Sequence, residues 1–361
     1  MWQETERLLR HALADEVVPG ISLCVYSRDA IVYEFTGGMA ELHPEPRDVS
    51  RDTPWDLASL TKVLCTSPVV LSLVEEGRIS LDSPLAEVLP GAPEEVTVAH
   101  CLQHSSGWPA WRPFFEQLGL SPDRWGSPEA RQAILREILQ TPLEAPAGAR
   151  HCYSDLGMIA LGFALERWGQ GSLSELFEER IRNPWGLELS WGSPRAAATE
   201  DCPVRGRVVR GDVHDLNASV LGGCAGHAGL FGTARGVVAA VACQLRSWQG
   251  RGPQSEVLQR EFWSRAGPGS HRLGWDSPSG LRSAAGGAWP ADGVGHLAFT
   301  GCSVWVSPSR GWIVAMCSNR VHPDVEGGAV PSGEVGPRTR AFRDLRPRLH
   351  TEVAQVLGAL S

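Results

Sequence analysis

The stretch "DLASLTKVLCTSPVVLSLVEEG", residues 56–77, sets the terms for the whole chain. From Ser59 its apolar spacing reads as a helix that stops at Gly77, with a kink predicted at Pro68. Ser59 and Lys62 lie three residues apart, just under one helical turn, so both side chains project from one face. A hydroxyl and an ammonium beside a Leu/Val-rich face bound for burial need a chemical reason. A serine hydroxyl becomes a nucleophile only with a base in hydrogen-bond reach. A lysine can be that base where burial and neighbours lower its pKa. The helix start also offers backbone N–H groups and the positive end of a dipole to a developing oxyanion. The spacing alone is equally compatible with an ordinary surface helix face, so the rest of the chain has to decide.

Outward from this segment, β-rich runs lie toward both ends. Residues 20–40, "GISLCVYSRDAIVYEFTGGMA", read as a hairpin turning at Ser27-Arg28-Asp29. Residues 296–320, "HLAFTGCSVWVSPSRGWIVAMCSNR", read as β-runs joined around Ser307–Gly311. The N-terminal segment is an amphipathic helix with Leu8, Leu9, Ala12 and Leu13 on one face, and a final helix spans 338–359. Between the β-runs come a loop at 79–90, a short helix running into a turn at 96–108, and helical patches such as "EARQAILREILQ" and "SLSELFEERI". Residues 205–233 are Gly-rich and loop-like, and 277–293 and 322–337 read as loops able to move. Strands from both ends most simply pair in one antiparallel sheet covered by the terminal helices. The expected fold class is therefore α+β. An α/β sandwich domain spans 1–60 and 205–361, a mainly helical inserted domain spans 61–204, and the active site lies between them.

Composition narrows the function classes. The chain has 361 residues, a net charge of −8 and no basic run, which argues against a nucleic-acid partner. No run of eighteen apolar residues is evident, so no membrane span is expected. The N-terminus lacks the apolar core and cleavage site of a signal peptide, so a cytoplasmic location is expected, a trimmed exported form being the alternative. The nine cysteines (24, 65, 101, 152, 202, 224, 243, 302 and 317) show no CxxC spacing and read as buried free thiols. His214 and His227, with Asp212 and Asp215, have no metal-ligand spacing and read as loop hydrogen bonding that shapes a cleft. "LGGCAGHAG" is not a GxGxxG loop after a strand, so no nucleotide site is expected. Ser105 and Ser106 of "QHSSGW" have no base nearby in sequence and read as cleft wall.

Two further segments complete the pattern. "APAGARHCYSDLGMIALG" (145–162) places Tyr153, Ser154 and Asp155 in a tight turn before an apolar helix, and "GHLAFTGCSVWV" (295–306) places His296 at the start of a β-run. Taken in order, Ser59-Leu60-Thr61-Lys62, Tyr153-Ser154-Asp155 and His296-Leu297-Ala298 resemble the serine β-lactamase and penicillin-binding-protein superfamily, in its class C β-lactamase-like esterase and peptidase branch. That group carries Ser-x-x-Lys, Tyr-x-Asn, and Lys-Thr-Gly or His-x-Gly. "VTVAHCLQHSSGWP", "IRNPWGL", "GDVHDLNA", "GGCAGHAGLF" and "SNRVHP" are similar to its connecting segments, and the resemblance runs from about residue 17 to 325.

The resemblance implies an α/β sandwich plus a helical domain, with the site between. It implies Ser59 as the acylated nucleophile, Lys62 as its proton partner and Tyr153 as the general base, a role a phenol can fill where cations favour phenolate. It places the oxyanion hole at the backbone N–H groups of Ser59 and Phe299. It places Asp155, His296, Leu297 and Ala298 against the substrate, with His296 as the cation or donor of the third motif. No cofactor or metal is implied. The partner is a small-molecule ester, amide or peptide; the oligomeric state is not legible. Three departures stand out. Asp155 replaces an amide that both donates and accepts; an ionised carboxylate only accepts, though it can pair with Lys62 and hold it charged. Leu297 and Ala298 remove a hydroxyl and add a methyl where a strand meets the ligand. The expected activity is hydrolysis of an ester or amide through an acyl-enzyme on Ser59, esterase-like or peptidase-like in preference to β-lactamase. The alternatives are a catalytically weak binding or regulatory relative, or an acyltransferase.

Overall fold

The computed structural model describes residues 1–280, 283–325 and 336–360. Its strands are β1 (Gly20–Ser27), β2 (Ala30–Glu41), β3 (Arg47–Asp48), β4 (Trp55–Asp56), β5 (Leu189–Trp191), β6 (Asp201–Cys202), β7 (Arg207–Val208), β8 (Leu230–Gly232), β9 (Val294–Leu297), β10 (Ser303–Ser307) and β11 (Trp312–Ser318). Its α-helices are α1 (Gln3–Ala14), α2 (Ser67–Glu75), α3 (Val98–Leu102), α4 (Phe114–Gln117), α5 (Pro128–Gln140), α6 (Asp155–Gly169), α7 (Leu173–Phe177), α8 (Asn183–Trp185), α9 (Leu216–Val220), α10 (Ala234–Trp248), α11 (Glu256–Ser264) and α12 (Pro337–Leu360).

The main sheet has the order β3-β2-β1-β11-β10-β9, so strands from the two ends of the chain do form one sheet. β1 and β11 run antiparallel, with Leu23 opposite Met316 and Val25 opposite Val314. Gly20 N–H donates to Asn319 Oδ1 across 299 residues of chain. The β1–β2 turn is tighter than the expected triplet: Arg28 and Asp29 alone make it, both with left-handed backbone (φ 54° and 59°). Two such residues match the right-handed twist of the flanking strands.

The central strands are buried on both faces because helices cover both. Side chains alternate accordingly. Ile21, Leu23, Val25, Trp305, Val314 and Met316 meet Leu8 and Leu9 of α1 and Leu349 and Val353 of α12. Cys24, Tyr26, Val304, Val306, Ile313 and Ala315 face the other way, into the larger core that holds Val237 and Val241 of α10. A small second sheet, β4-β8-β5, ties the start of the Ser59 segment to the Gly-rich stretch; the sequence pattern does not show it because each of its strands is two or three residues long. β6 and β7 form a separate two-stranded ribbon.

The kink expected at Pro68 takes the form of a π-helical turn, Lys62–Thr66, which leads into α2. Ser67 N–H reaches back five residues to the Lys62 carbonyl, and Pro68 has no N–H to give, so the Val63 carbonyl is released from the helix ladder. Gln244 Nε2 of α10 donates to it at 3.0 Å, within the core. Gln244→Leu is expected to orphan that carbonyl and lower stability by about 1–3 kcal/mol, read as a shift in the urea midpoint at unchanged slope. The helical run 58–75 is, by length and composition alone, apolar enough to span a bilayer (mean hydropathy 1.3), yet 78% of it is buried inside the protein. Its apolarity serves the core. Positions 281–282 and 326–335 of the two loops read from the sequence lie outside the described residues.

Candidate active site

Ser59 sits in a single 3₁₀ turn, Ala58–Leu60, just after β4. The turn is held from beneath. Asp56 is buried, its Oδ1 accepts the Ala58 N–H (2.8 Å) and its Oδ2 accepts the His214 N–H (2.6 Å). Ala58 takes a left-handed backbone, φ 41°, immediately before the serine. A non-glycine residue adopts that region only when its surroundings over-determine it. Leu57 N–H donates to the Leu230 carbonyl (2.9 Å), and Leu230 N–H donates to Thr61 Oγ1 (3.1 Å), so β8 clamps both sides of Ser59. Asp56 is not legible as a site residue in the sequence; an acid three residues before a serine carries no spacing signal of its own.

Lys62 is fully buried. Its ammonium donates to Ser59 Oγ (2.9 Å) and to the His227 carbonyl (3.2 Å), and it pairs with Asp155 Oδ1 at 2.8 Å. Three N–H groups thus meet three oxygen acceptors, which is the full capacity of an ammonium. Desolvation works to lower its pKa, but the Asp155 carboxylate and the Tyr153 oxygen outweigh it and hold the pKa above the ordinary lysine value. This departs from the picture of a lysine neutralised by burial: Asp155 keeps it charged.

Asp155 is the first residue of α6, whose N-cap is Ser154; the Ser154 hydroxyl accepts the Gly157 N–H and donates to the Pro109 carbonyl. Tyr153 immediately precedes this cap. Its hydroxyl faces Lys62 and Ser59, and the Lys62 ammonium lies 4.9 Å from its ring centre. Burial pushes the phenol above its ordinary pKa, with Asp155 adding to that and Lys62 opposing it. At rest the phenol keeps its proton.

His296 lies on β9, paired opposite Val304. Its Nδ1 is 2.7 Å from the Leu297 carbonyl; a carbonyl only accepts, so Nδ1 carries the proton and Nε2 is a bare acceptor. Burial first, then Lys62 and His271, hold its pKa well below the ordinary histidine value. It is therefore neutral, and the cation or donor expected at the third motif is not supplied by it. Leu297 ends β9, and Ala298 and Phe299 enter the turn to β10. The β-run read from His296 is thus interrupted after one residue. Phe299 is half exposed and stacks on His214, which pairs with Glu200 at 3.3 Å. His227 pairs through its ring with Asp215 at 3.0 Å while its carbonyl serves Lys62. Gly226 lets this loop approach α6: a Cβ there would stand 2.2 Å from the Met158 carbonyl oxygen.

Ser59, Tyr153, Asp155, His296, Leu297, Ala298 and Phe299 line one cavity of about 570 Å³. Its far wall holds Arg320, Arg343 and Arg346 with Phe342. Ser105 and Ser106 are buried outside its lining. His104 belongs to the "QHSSGW" stretch without a role assigned to it there, and no segment quoted from the sequence contains His271. With His296 they place ring nitrogens within 4.8 Å of one another, a spacing open to a metal ion. The chemistry of the set does not fit one. His104 Nδ1 accepts the Ser154 N–H at 3.1 Å, so its other nitrogen keeps a proton and has no lone pair to offer. His271, His151 and His104 are all held below the ordinary histidine pKa, His271 down to about 4, first by burial. A neutral imidazole shell beside one ammonium leaves Asp155 as that ammonium's counter-ion.

The arrangement presents an alcohol oxygen to a cavity, an ammonium and a phenol on that oxygen, and a fixed helix start beneath it. Comparison with known proteins gives the family and the fold. The Beta-lactamase family model matches residues 5–331. A protein of Escherichia coli (strain K12) named "Putative D-alanyl-D-alanine carboxypeptidase" is 27% identical over 349 residues, covering 85% of this chain and 80% of that protein. A Salmonella typhi protein of the same name is 26% identical over 354 residues, covering 86% and 81%. Among solved structures, "EstCE1, a hydrolase with promiscuous acyltransferase activity" superposes with a TM-score of 0.73 at 18% identity, covering 96% of this chain and 98% of that one. The LovD6 mutant of simvastatin synthase from Aspergillus terreus superposes at 0.72 and 17% identity, covering 98% and 95%. The two structures share the fold with this chain.

Proposed function

The chain belongs to the Beta-lactamase family of serine hydrolases, and from that premise we propose that it cleaves esters through an acyl-enzyme formed on Ser59. The observation that carries this reading is the convergence of Ser59 Oγ, the Lys62 ammonium and the Tyr153 hydroxyl on one cavity. In the fraction of the enzyme whose Tyr153 has released its proton to water, Ser59 Oγ attacks the carbonyl carbon as its own proton passes to the phenolate oxygen. Lys62 stays charged and stabilises the phenolate that accepts it. The Ser59 and Phe299 N–H groups hold the tetrahedral oxyanion. Tyr153 then returns the proton to the leaving oxygen, and water repeats the sequence in reverse to free Ser59.

Esters are preferred over amides for two reasons. An alkoxide leaves more readily than an amine, and the base here is not pre-ionised. Asp155 also accepts but does not donate, so it offers no hydrogen bond to an amide carbonyl. Intact-mass measurement after exposure to p-nitrophenyl acetate and to a fluorescent penicillin tests the reading. A mass gain mapped to Ser59 with the ester supports it. No burst and no adduct with either probe would favour the binding or regulatory alternative.

The arginine wall points to an acyl chain with a negative end. Arg346 is buried, and its Nε has no partner among the described residues. Arg320 lies 5.0 Å from the Phe299 ring centre, and Arg346 lies 4.5 Å from that of Phe342. Burial first, and then the neighbouring guanidiniums, bring Arg346 down to about 9 and Arg320 to about 10. Both remain charged at neutral pH. The p-nitrophenyl monoester of succinic acid is expected to exceed the acetate in kcat/KM by about tenfold or more, as one charged hydrogen bond of about 1.5–3 kcal/mol allows. Arg346→Gln should erase that preference while leaving acetate turnover within about twofold. Equal rates for the two esters would remove the anionic specificity and leave the acyl-enzyme reading intact.

A further inference from the structure

His104 stands where glycine is the usual residue. Helix α3 ends with two reversed bonds: Ser105 N–H donates to the His100 carbonyl (2.8 Å), and His104 N–H donates to the Cys101 carbonyl (3.2 Å). In this Schellman arrangement the residue beyond the C-cap is left-handed and most often glycine. His104 occupies that position with φ 52°, and its side chain is completely buried. A Cβ is disfavoured in that region, so an imidazole placed there calls for a compensating contact.

The ring meets His271 edge-on, with centroids 4.8 Å apart, and three further contacts fall on the Tyr153 turn. The His104 carbonyl accepts the Cys152 N–H at 2.7 Å, on one side of the tyrosine. Its Nδ1 accepts the Ser154 N–H at 3.1 Å, on the other side. Its ring lies along the phenol ring between them, with centroids 4.2 Å apart and planes 33° apart. Backbone before, backbone after and ring are held by one residue 49 positions earlier in the chain.

We propose that His104 is the positioning residue for Tyr153: its imidazole, anchored in the left-handed turn after α3, sets the phenol oxygen between Ser59 and Lys62. The inference rests on reading Tyr153 as the proton acceptor. His104 does this as a neutral ring, because a proton on Nδ1 would break the bond from Ser154 N–H. The groups facing the phenol are Ser59, Lys62, Asp155, His104, His271 and His296.

The test compares His104→Gly with His104→Asn. Both residues accept a left-handed backbone, but only asparagine offers an oxygen to Ser154 N–H. Turnover of p-nitrophenyl acetate is counted per acylatable site, so partial unfolding does not enter the rate. The glycine variant is expected to lose kcat by about 30-fold with KM little changed, since a displacement near 1 Å can cost about 100-fold. The asparagine variant should recover to within about fivefold of the parent. The Tyr153 titration, obtained by ultraviolet difference against a Tyr153→Phe protein with two tyrosines left, should move in the glycine variant and return in the asparagine variant. Unchanged kcat and titration in the glycine variant overturn the proposal, as does an asparagine variant no better than glycine. Should the glycine variant not fold, the asparagine variant decides alone: kcat and titration near the parent support the assignment, and collapse of either overturns it. A parent without an ester burst defeats the Ser59 reading, while the titration still decides whether His104 holds the phenol.

Discussion

A Ser59→Ala protein is expected to keep the parent's cooperative unfolding and to lose ester turnover by about 10⁴-fold or more. The hydroxyl is the atom on which Lys62 and Tyr153 converge, and removing it leaves no alternative nucleophile at that point. Ser105 and Ser106 are buried and do not line the cavity, so they cannot stand in. Structurally the change is mild. Lys62 retains the His227 carbonyl and Asp155, and a half-buried hydroxyl is worth about 1 kcal/mol. The burst phase and the Ser59 mass adduct should vanish together. Residual turnover within about tenfold of the parent would move the chemistry away from this serine.

The second large effect is expected at Asp155, and in the opposite direction. Asp155 raises the pKa of both Lys62 and Tyr153. The Asp155→Asn change would keep an oxygen near the ammonium but drop the charge, so both values should fall. In the proposed mechanism the working form of Tyr153 is the deprotonated one. Below its pKa the rate follows the deprotonated fraction, so each unit of downward shift raises the rate about tenfold at fixed pH. Asp155→Asn is therefore expected to raise kcat/KM at neutral pH by about tenfold and to move the alkaline rise of the pH–rate profile toward neutrality. It also introduces the amide donor that the second motif carries in similar proteins, so amide and β-lactam substrates should gain more than esters. The cost in stability is about 1–3 kcal/mol for a weakened contact to a buried ammonium. A fall in rate at every pH would instead make Asp155 a required partner of charged Lys62.

Much of this architecture is legible without coordinates because its determinants are local. The three-residue spacing of Ser59 and Lys62, the β-rich runs in residues 20–40 and the turn at Ser154 before an apolar helix each announce themselves within a few residues. That strands from both ends share a sheet follows from there being strong β-runs only there. What stays hidden depends on long-range geometry. The turn that ends α3 is legible in residues 96–108, but nothing near His104 says that its ring will meet Tyr153. For Lys62 the sequence offers two charge states, neutral through burial or charged through pairing with Asp155, and only the three-dimensional placement decides between them. Burial is predictable from an apolar face, but the Asp155 carboxylate that reverses its effect arrives from another helix. His296 misleads the other way: its residue type suggests a cation, and its surroundings forbid one. The arginine wall is invisible in the sequence because Arg320, Arg343 and Arg346 come from two separate segments and converge only once α12 packs beside β11.

The pairing of β1 with β11 bears on how the protein is made. A ribosome releases the first hairpin long before its partner strand exists, and Gly20 must wait through 299 residues for Asn319. Until then one edge of β1 is unpaired and apolar, the kind of surface that aggregates or recruits a chaperone. His296 and the arginines are also translated late. A nascent chain halted before β9 would therefore hold the nucleophile and the phenol but not the opposite wall of the crevice.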